Sequence, residues 1–338
     1  MAKWQYTKGV HEIGKGVYAY LQPDGSWGWS NAGLVVDGDA SLMVDTLFDL
    51  KITAEMMKAY ADVTPAAKKI GTLVNTHADG DHTFGNQLVK DARIIGTQGT
   101  VEDFARFDPK VVQNICLNAE QFGSSGVFMR ECFRPFDFSG IELTPPNETF
   151  SGNLTVMVGD KCVELIEVGP AHSLGDALIH VPDDKVLYTG DILFTGGTPI
   201  AWYGPVKRWI DVCDRIMGMD VETIVSGHGP ISTKDDVREM RDYLQHVTDE
   251  TRPLYEQGMD YMAAAYNVDL GRWKDREDAE RVLVTVQTLF DDFGEAPQRP
   301  VHPPIPYFAE MKSLRHHLGR GPVHEAYCKA CGIKHDAY

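Results

Sequence analysis

Two histidines and two aspartates within six residues are the feature that most constrains this sequence. They lie in the stretch Asn75-Thr76-His77-Ala78-Asp79-Gly80-Asp81-His82, which follows an apolar run over 70–74 that predicts a buried strand. In an extended chain, alternate residues such as His77, Asp79 and Asp81 point the same way. Imidazole and carboxylate groups are ligands of zinc, iron and manganese. The stretch therefore predicts a metal site at a strand end. The alternative is a polar turn before a helix, with Asp81 as its N-cap.

Three later apolar segments end in the same way, with a glycine close to a histidine or an aspartate. These residues are His172 after 163–168, Asp191 after 186–188 and His228 after 223–225. A single histidine of this kind is more often structural than a ligand. Three of them, together with the stretch at 77–82, favour one shared metal site built from several strand ends.

Charge and composition exclude some classes of partner. The 338-residue chain has a formal net charge of −17 and no Lys/Arg cluster, so we expect it to bind neither nucleic acid nor anionic membranes. It has no apolar run near the ~18 residues of a membrane span and no basic-then-apolar leader. Its six cysteines then indicate reduced thiols. We therefore predict a cytoplasmic protein.

The hydrophobic pattern predicts an α+β chain with a β-rich domain over 1–232 and a helical extension over 233–338. In the first part it predicts hairpins over 10–21, 32–45 and 154–168, strands over 70–74, 93–96, 177–181, 186–188 and 223–225, helices over 50–63, 83–90 and 206–217 with another starting at 100, and mixed structure over 108–140. In the extension it predicts helices over 233–250, 252–266, 276–292 and 308–318, with a proline-rich connector over 297–306. We expect the extension to cover the active site, to form a dimer contact, or both.

The order in which these His and Asp motifs follow one another along the chain resembles that of the metallo-β-lactamase-fold hydrolases. His77-x-Asp79-x-Asp81-His82 is similar to the family's His-x-His-x-Asp-His, and the next histidine, the bridging aspartate and the last histidine correspond to His172, Asp191 and His228. The resemblance covers about residues 10–232. It implies a four-layer αββα sandwich with the metal site along one edge of the two sheets.

The resemblance also implies roles for these residues. A first metal position would use His77, Asp79 and His172, and a second would use Asp81, His82 and His228, with Asp191 bridging them. Asp81 would also orient the attacking hydroxide and pass a proton to the leaving group, so Asp81 and Asp191 are the expected catalytic residues. Asp45 corresponds to an early acidic residue that tightens a ligand or loop without touching the metal.

Asp79 departs from the family pattern, which has histidine there. A carboxylate adds negative charge and a harder donor, which favours iron or manganese relative to zinc. Aspartate is also short, so the first position could be weak or empty. We therefore expect one or two Zn²⁺ per subunit, with iron or manganese as the alternative metals.

The leading hypothesis for function is hydrolysis by a metal-bound hydroxide, because divalent metals lower the pKa of water from 15.7 toward about 7. The substrate would be small and apolar or aromatic: an ester, lactone, thioester, amide or activated carbon–halogen compound. The aromatic residues expected near the mouth are Trp27, Trp29, Phe194, Trp202 and Tyr203. The alternatives are an iron-dependent redox enzyme of the same fold, motivated by Asp79, and a ligand-binding member without turnover. A homodimer is the expected assembly.

The end of the chain contains a second possible metal motif. His324, Cys328, Cys331 and His335 have zinc-type side chains, and Cys-x2-Cys is a common zinc spacing. All four lie within 12 residues, which leaves little chain to wrap a tetrahedron. A structural zinc and free surface side chains therefore both stay open.

Overall fold

The computed structural model describes residues 4–294 and 304–323. Within these ranges the strands are β1 Gly9–Gly14, β2 Val17–Leu21, β3 Ala32–Asp37, β4 Ala40–Val44, β5 Thr72–Val74, β6 Arg93–Thr97, β7 Glu148–Phe150, β8 Asn153–Val158, β9 Lys161–Glu167, β10 Ala177–Val181, β11 Val186–Tyr188, β12 Thr223–Val225 and β13 Ile231–Ser232. The α-helices are α1 Leu50–Val63, α2 Gly80–Thr83, α3 Gln98–Asp103, α4 Pro109–Leu117, α5 Gly123–Phe133, α6 Val206–Gly218, α7 Lys234–Glu256, α8 Tyr261–Asn267, α9 Val282–Phe293 and α10 Ile305–His317.

The strands form two sheets. The first has seven strands in the order β1 to β7, antiparallel as far as β4 and parallel from β4 to β7. The second has six strands in the order β13-β12-β11-β10-β9-β8, with β11 and β12 parallel. Parallel neighbours bring the carboxyl ends of β4, β5 and β6, and of β11 and β12, to common sheet edges. These edges carry the polar stretches singled out above.

Alternation along the strands explains the layers. In β4, Leu42 and Val44 belong to an apolar cluster with residues of both sheets, whereas Met43 belongs to a second cluster that includes α1. In β11, Tyr188 faces the first cluster and Leu187 the second. Since successive side chains point to opposite faces, each sheet packs on the other sheet on one side and on helices on the other. The predicted αββα sandwich of an α+β chain is confirmed.

Most predicted elements are present, and the hairpins at 9–21, 32–44 and 153–167 are confirmed. Two helix predictions were wrong. In place of the helix expected over 83–90, α2 ends at Thr83 and a 3-10 turn, Asn86–Val89, follows. The hydroxyl and the backbone N–H of Thr46 donate to the carbonyl oxygen of His82, and the same hydroxyl accepts from the backbone N–H of Gly85, so these groups are held by a residue outside the segment. The helix expected over 252–266 is instead the end of α7, which continues to Glu256, followed by the separate α8.

The helices after residue 233 pack on the sandwich. Met240 of α7, Leu289 of α9 and Phe308 of α10 are buried in the same apolar cluster as Met56 of α1 and Trp209 of α6. The domain boundary at 232 stays a prediction. Part of the proline-rich connector and all four residues of the His324–His335 motif lie outside the described residues.

Candidate metal centre

Seven polar side chains meet at the edge shared by the two sheets, and all of them were candidates from the sequence. The segment after β5 supplies His77 and Asp79, and α2 supplies Asp81 and His82. The other three follow strands of the second sheet: His172 follows β9, Asp191 follows β11 and His228 follows β12. Five of the seven are buried, whereas the side chains of Asp79 and Asp81 are 13% and 14% exposed. Solvent therefore reaches the cluster beside these two carboxylates.

Asp191 lies at the centre of the cluster. Its Oδ1 is 3.1 Å from Nε2 of His82. Its Oδ2 is 3.9 Å from Nε2 of His77, 3.5 Å from that of His172 and 3.4 Å from that of His228. One carboxylate thus reaches all four imidazoles, which is the arrangement that a bridging ligand between two metal positions requires.

Asp79 and Asp81 complete two separate groups around Asp191. Asp79 Oδ2 lies 3.3 Å from Nε2 of His172 and 3.9 Å from that of His77. Asp81 Oδ2 lies 3.3 Å from Nε2 of His228. Within each of the triads His77/Asp79/His172 and Asp81/His82/His228 the ligand atoms lie within 4.8 Å of one another. Asp79 therefore reaches its histidines although it is short.

Hydrogen bonds outside the cluster orient the histidine rings. His172 Nδ1 is 2.7 Å from the carbonyl oxygen of Ile200, and His228 Nδ1 is 3.0 Å from that of Gly25. A carbonyl oxygen only accepts, so both Nδ1 atoms carry the proton and both Nε2 atoms face the cluster as potential ligands. Such outer hydrogen bonds fix the tautomer and orientation of metal-binding imidazoles.

Asp45 orients the other two rings. Its Oδ2 is 2.9 Å from Nδ1 of His82 and accepts a hydrogen bond of 2.7 Å from the hydroxyl of Thr76. The same hydroxyl oxygen is 2.9 Å from Nδ1 of His77. Asp45 thus contacts the cluster through His82 and Thr76, and its role in tightening a ligand or loop stays a prediction.

The donor set fits a divalent cation. Nε2 of His77, Nε2 of His82 and Oδ1 of Asp191 are buried and make no hydrogen bond of acceptable geometry, although the last two atoms lie 3.1 Å apart. Burial lowers the pKa of His77 to about 4, so this imidazole is neutral near pH 7 and its Nε2 lone pair is free. Buried nitrogen and oxygen atoms that converge without hydrogen bonds are unfavourable, unless a cation lies among them.

Arg106, between α3 and α4, is a site residue that the sequence interpretation missed. Its guanidinium is buried and forms a short ion pair with Oδ1 of Asp79, while its Nε is 3.3 Å from Oδ2 of Asp103. Burial raises the pKa of Asp79, but the Arg106 charge and the hydrogen bond with His172 outweigh this effect and hold the pKa well below its ordinary value. Nothing in the local sequence around 106 indicates this contact.

Aromatic residues line a cavity beside the seven polar side chains. Three of the predicted substrate-contacting residues, Trp27, Phe194 and Trp202, line it together with Phe48, Phe107 and Phe133. Phe194 also stacks on His228, with ring centroids 5.1 Å apart. Two predicted residues are absent from this lining. Trp29 packs on Phe136, with centroids 4.7 Å apart, and the hydroxyl of Tyr203 donates to Asp103 over 3.4 Å.

The helical extension contributes two residues to the same cavity. Phe308 of α10 and Arg281, immediately before α9, lie in its wall together with Asp81, Asp191 and His228. The periodicity of the extension predicts helices but gives no sign of which residues reach the metal centre.

Comparison with protein families agrees with this fold and this cluster. A model of the family described as "Metallo-beta-lactamase superfamily" matches residues 25–228. The chain belongs to this superfamily. The match includes all seven residues of the cluster and ends before the helical extension.

Two curated proteins are similar to this chain. The 2,4-dinitroanisole O-demethylase subunit alpha of Nocardioides sp. (strain JS1661) is 28% identical over 58% of this chain and 51% of its own length. The acyl-coenzyme A thioesterase MBLAC2 of Homo sapiens is 23% identical over 59% of this chain and 72% of its own length. The chain thus matches about half the length of the first relative.

Solved structures of the superfamily show the same fold. The sec-alkylsulfatase Pisa1 from Pseudomonas sp. has a TM-score of 0.65 at 15% identity, over 85% of this chain and 50% of its own. The metallo-beta-lactamase from Pontibacter korlensis has a TM-score of 0.52 at 17% identity, over 71% of this chain and 99% of its own. At these identities the likeness concerns the fold alone.

Among the described residues, no helix is long and apolar enough to cross a membrane.

Proposed function

We propose that this protein is a metal-dependent hydrolase of a small substrate with an apolar or aromatic body. The observation that carries the proposal is the convergence of four imidazole Nε2 atoms on the carboxylate of Asp191, with three buried atoms of this group making no hydrogen bond of acceptable geometry. His77, Asp79 and His172 would hold one metal, Asp81, His82 and His228 a second, and Asp191 would contribute to both. Membership of the metallo-β-lactamase superfamily supports a hydrolase.

Bound divalent metal would supply Lewis acidity, which lowers the pKa of water toward neutrality and polarises the substrate's reacting oxygen. The protein's own part is orientation and proton transfer. Asp81, at the solvent-exposed side of the cluster, would accept a hydrogen bond from the attacking water. It can then hold the proton at a carboxylate oxygen and pass it to the leaving group. The aromatic wall would hold the apolar body and keep out bulk water.

Arg106 modifies the expected metal preference. A free carboxylate at 79 favours iron or manganese, but here one oxygen is paired with a guanidinium, so a single oxygen remains for a metal. The Asp79–Arg106 pair is close to neutral overall and thus resembles the family's histidine in charge. This argument supports zinc at both positions, with iron or manganese as the alternative at the first.

The relatives suggest which bonds to test first. The thioesterase supports esters and thioesters, which lie within the predicted substrate range. The O-demethylase subunit adds a second candidate, an activated aryl methyl ether, because it is the more similar of the two sequences. Because that relative is a subunit, we also propose that this chain works in an assembly, with a homodimer as the first candidate.

The test combines metal analysis with a substrate panel. We expect elemental analysis of the full chain to give about two zinc per subunit, and zinc-loaded protein to hydrolyse aryl esters or acyl thioesters at least about 100-fold faster than metal-free protein. Iron as the main metal, with redox turnover in place of hydrolysis, would instead support the redox alternative. Substrate binding without turnover under any metal would support the binding-protein alternative. Either result would refute the proposal.

A further inference from the structure

Arg281 is a buried cation in the wall of the metal cavity, and the proposed reaction gives it no role. It belongs to the 3-10 turn Ala279–Arg281 of the helical extension, outside the range that matches the family model. Its side chain is only 3% exposed, and it lines the cavity together with Asp81 and His228. A buried guanidinium is unfavourable unless all its donors and its charge are satisfied.

The contacts of Arg281 leave donors unused. Its Nη2 is 2.9 Å from Oδ2 of Asp278, and its Nη1 donates to the carbonyl oxygen of Thr198 over 3.3 Å. A guanidinium has five N–H donors, and Nε of Arg281 is buried with no hydrogen-bond partner. These two contacts therefore anchor the group without saturating it.

Trp27 adds a second unused donor at the same place. The Arg281 guanidinium carbon lies 4.1 Å from the centroid of the Trp27 ring, and Trp27 lines the same cavity. Its indole Nε1 is also buried and without a partner. Two unpartnered N–H groups on stacked residues in one cavity wall are typical of a subsite that a ligand's oxygen atoms complete.

The surrounding charges favour an anionic ligand over a neutral one. Asp278 is shared, because its Oδ1 lies 3.6 Å from Nη1 of Arg315, which also pairs with Glu280 at 3.0 Å. Burial, followed by the Asp278 charge, raises the pKa of Glu280 to about 7. At neutral pH Glu280 is thus partly protonated, and the carboxylate of Asp278 is shared between Arg281 and Arg315.

We propose that Arg281, together with the indole N–H of Trp27, binds an anionic oxygen group of the substrate, of the carboxylate or sulfonate type. Phe194 contacts both parts of the site, since its centroid is 5.1 Å from that of His228 and 5.8 Å from the Arg281 guanidinium carbon. A substrate with an aromatic or apolar body and one anionic end would thus lie along Phe194. This substrate class rests on the proposed hydrolase function.

The test is ligand binding to the full-length, metal-loaded protein by isothermal titration calorimetry. The probes are benzoate, benzenesulfonate and the neutral benzamide. We expect Arg281→Met to weaken binding of the preferred anion at least about 10-fold and to leave benzamide within about 2-fold, and Trp27→Phe to weaken the anion about 3-fold more than it weakens benzamide. Arg281→Lys should keep part of the affinity. The benzoate and benzenesulfonate arms distinguish a carboxylate-bearing substrate from a sulfonate- or sulfate-bearing one.

Arg272→Met is the matched control. Like Arg281, Arg272 belongs to the extension and lies over a tryptophan ring, with its guanidinium carbon 4.3 Å from the Trp273 centroid. Its side chain is 60% exposed, however, and is not part of the cavity wall. It should bind all probes as the wild type does. If Arg281→Met fails to fold, as judged by circular dichroism, Arg281→Lys and Trp27→Phe still test the inference.

Equal affinity of the wild type for benzamide and both anions would overturn the inference. Unchanged anion binding in Arg281→Met would overturn it as well. If that variant does not fold, unchanged anion binding in both Arg281→Lys and Trp27→Phe would do the same. The two proposals fail separately. Anion binding that depends on Arg281 in a protein without hydrolytic turnover would refute only the hydrolase. Hydrolysis of neutral and anionic esters with no effect of Arg281 would refute only the anion subsite.

Discussion

The two halves of the metal cluster use the same kinds of side chain in different surroundings. In the first half, Asp79 faces His77 and His172 with one oxygen and pairs with Arg106 through the other. In the second half, Asp81 faces His228 with one oxygen, and no arginine contact is seen within the described residues. The two halves share Asp191 and depend on Asp45 for the orientation of one histidine each.

The difference shows how a carboxylate in the place of an imidazole can be accompanied by a counter-charge. Arg106 is held between Asp103 and the rings of Trp202, Tyr203 and Phe107, which lie 5.5, 5.9 and 6.0 Å from its guanidinium carbon. A guanidinium held by a carboxylate and aromatic faces is fixed in position. In the first half, the Asp79 carboxylate is therefore a candidate ligand that has Arg106 as its counter-charge. In the second half, no arginine contact to Asp81 is seen within the described residues.

Asp191→Ala should have the largest effect, because this carboxylate is common to both halves. We expect hydrolytic activity to fall at least about 1,000-fold and bound metal to fall at both positions, with the fold retained. Elemental analysis and circular dichroism check this. Asp211→Ala removes a carboxylate whose side chain is 56% exposed, and is the control. Full turnover in Asp191→Ala would show that the metal site was assigned to the wrong residues.

Arg106→Met should separate the two halves. Asp79 would lose the group that aims its free oxygen at His77 and His172, so we expect metal affinity at the first position to fall about 10- to 100-fold. Affinity at the second position should change less than about 3-fold. Stepwise metal titration by calorimetry measures both affinities. Arg106→Lys keeps the charge but not the planar guanidinium, so its metal affinity at the first position should lie between those of the wild type and Arg106→Met. Equal loss at both positions would contradict the division into halves.

Asp79→His combined with Arg106→Met gives the finest test. Asp79→His alone leaves the buried Arg106 with only Asp103, so we expect lower stability and little gain in zinc. The double variant restores the family's histidine and removes the guanidinium beside it, while Asp103, whose pKa is raised by burial, keeps the hydrogen bond from the Tyr203 hydroxyl. It should hold zinc at the first position about 10-fold more tightly than Arg106→Met. Competition between zinc and iron for each variant, measured by elemental analysis, gives the result. No gain in the double variant would favour chemistry at the second position alone.

Much of the fold and the cluster could be predicted because the relevant signals are local. Apolar runs predicted the strands, and the strands ended where His77, His172, Asp191 and His228 were expected. In the second sheet, the parallel neighbours β11 and β12 bring Asp191 and His228 to one edge, and β9, which is separated from β11 by the antiparallel β10, ends at the same edge. The helix expected over 83–90 was wrong because Thr46, far away in sequence, binds this segment. A pattern within the segment cannot report such a contact.

The sequence by itself determined the candidate ligand set, since residue type and spacing decide which atoms could bind a metal and on which side of a strand they lie. Tertiary structure alone decided that Arg106 lies against Asp79, and that Arg281 and Trp27 stack in the cavity wall. The partners are 27 residues apart in the first case and 254 in the second. A lone arginine has no periodicity, so its partner is known only when the fold places the two side chains together.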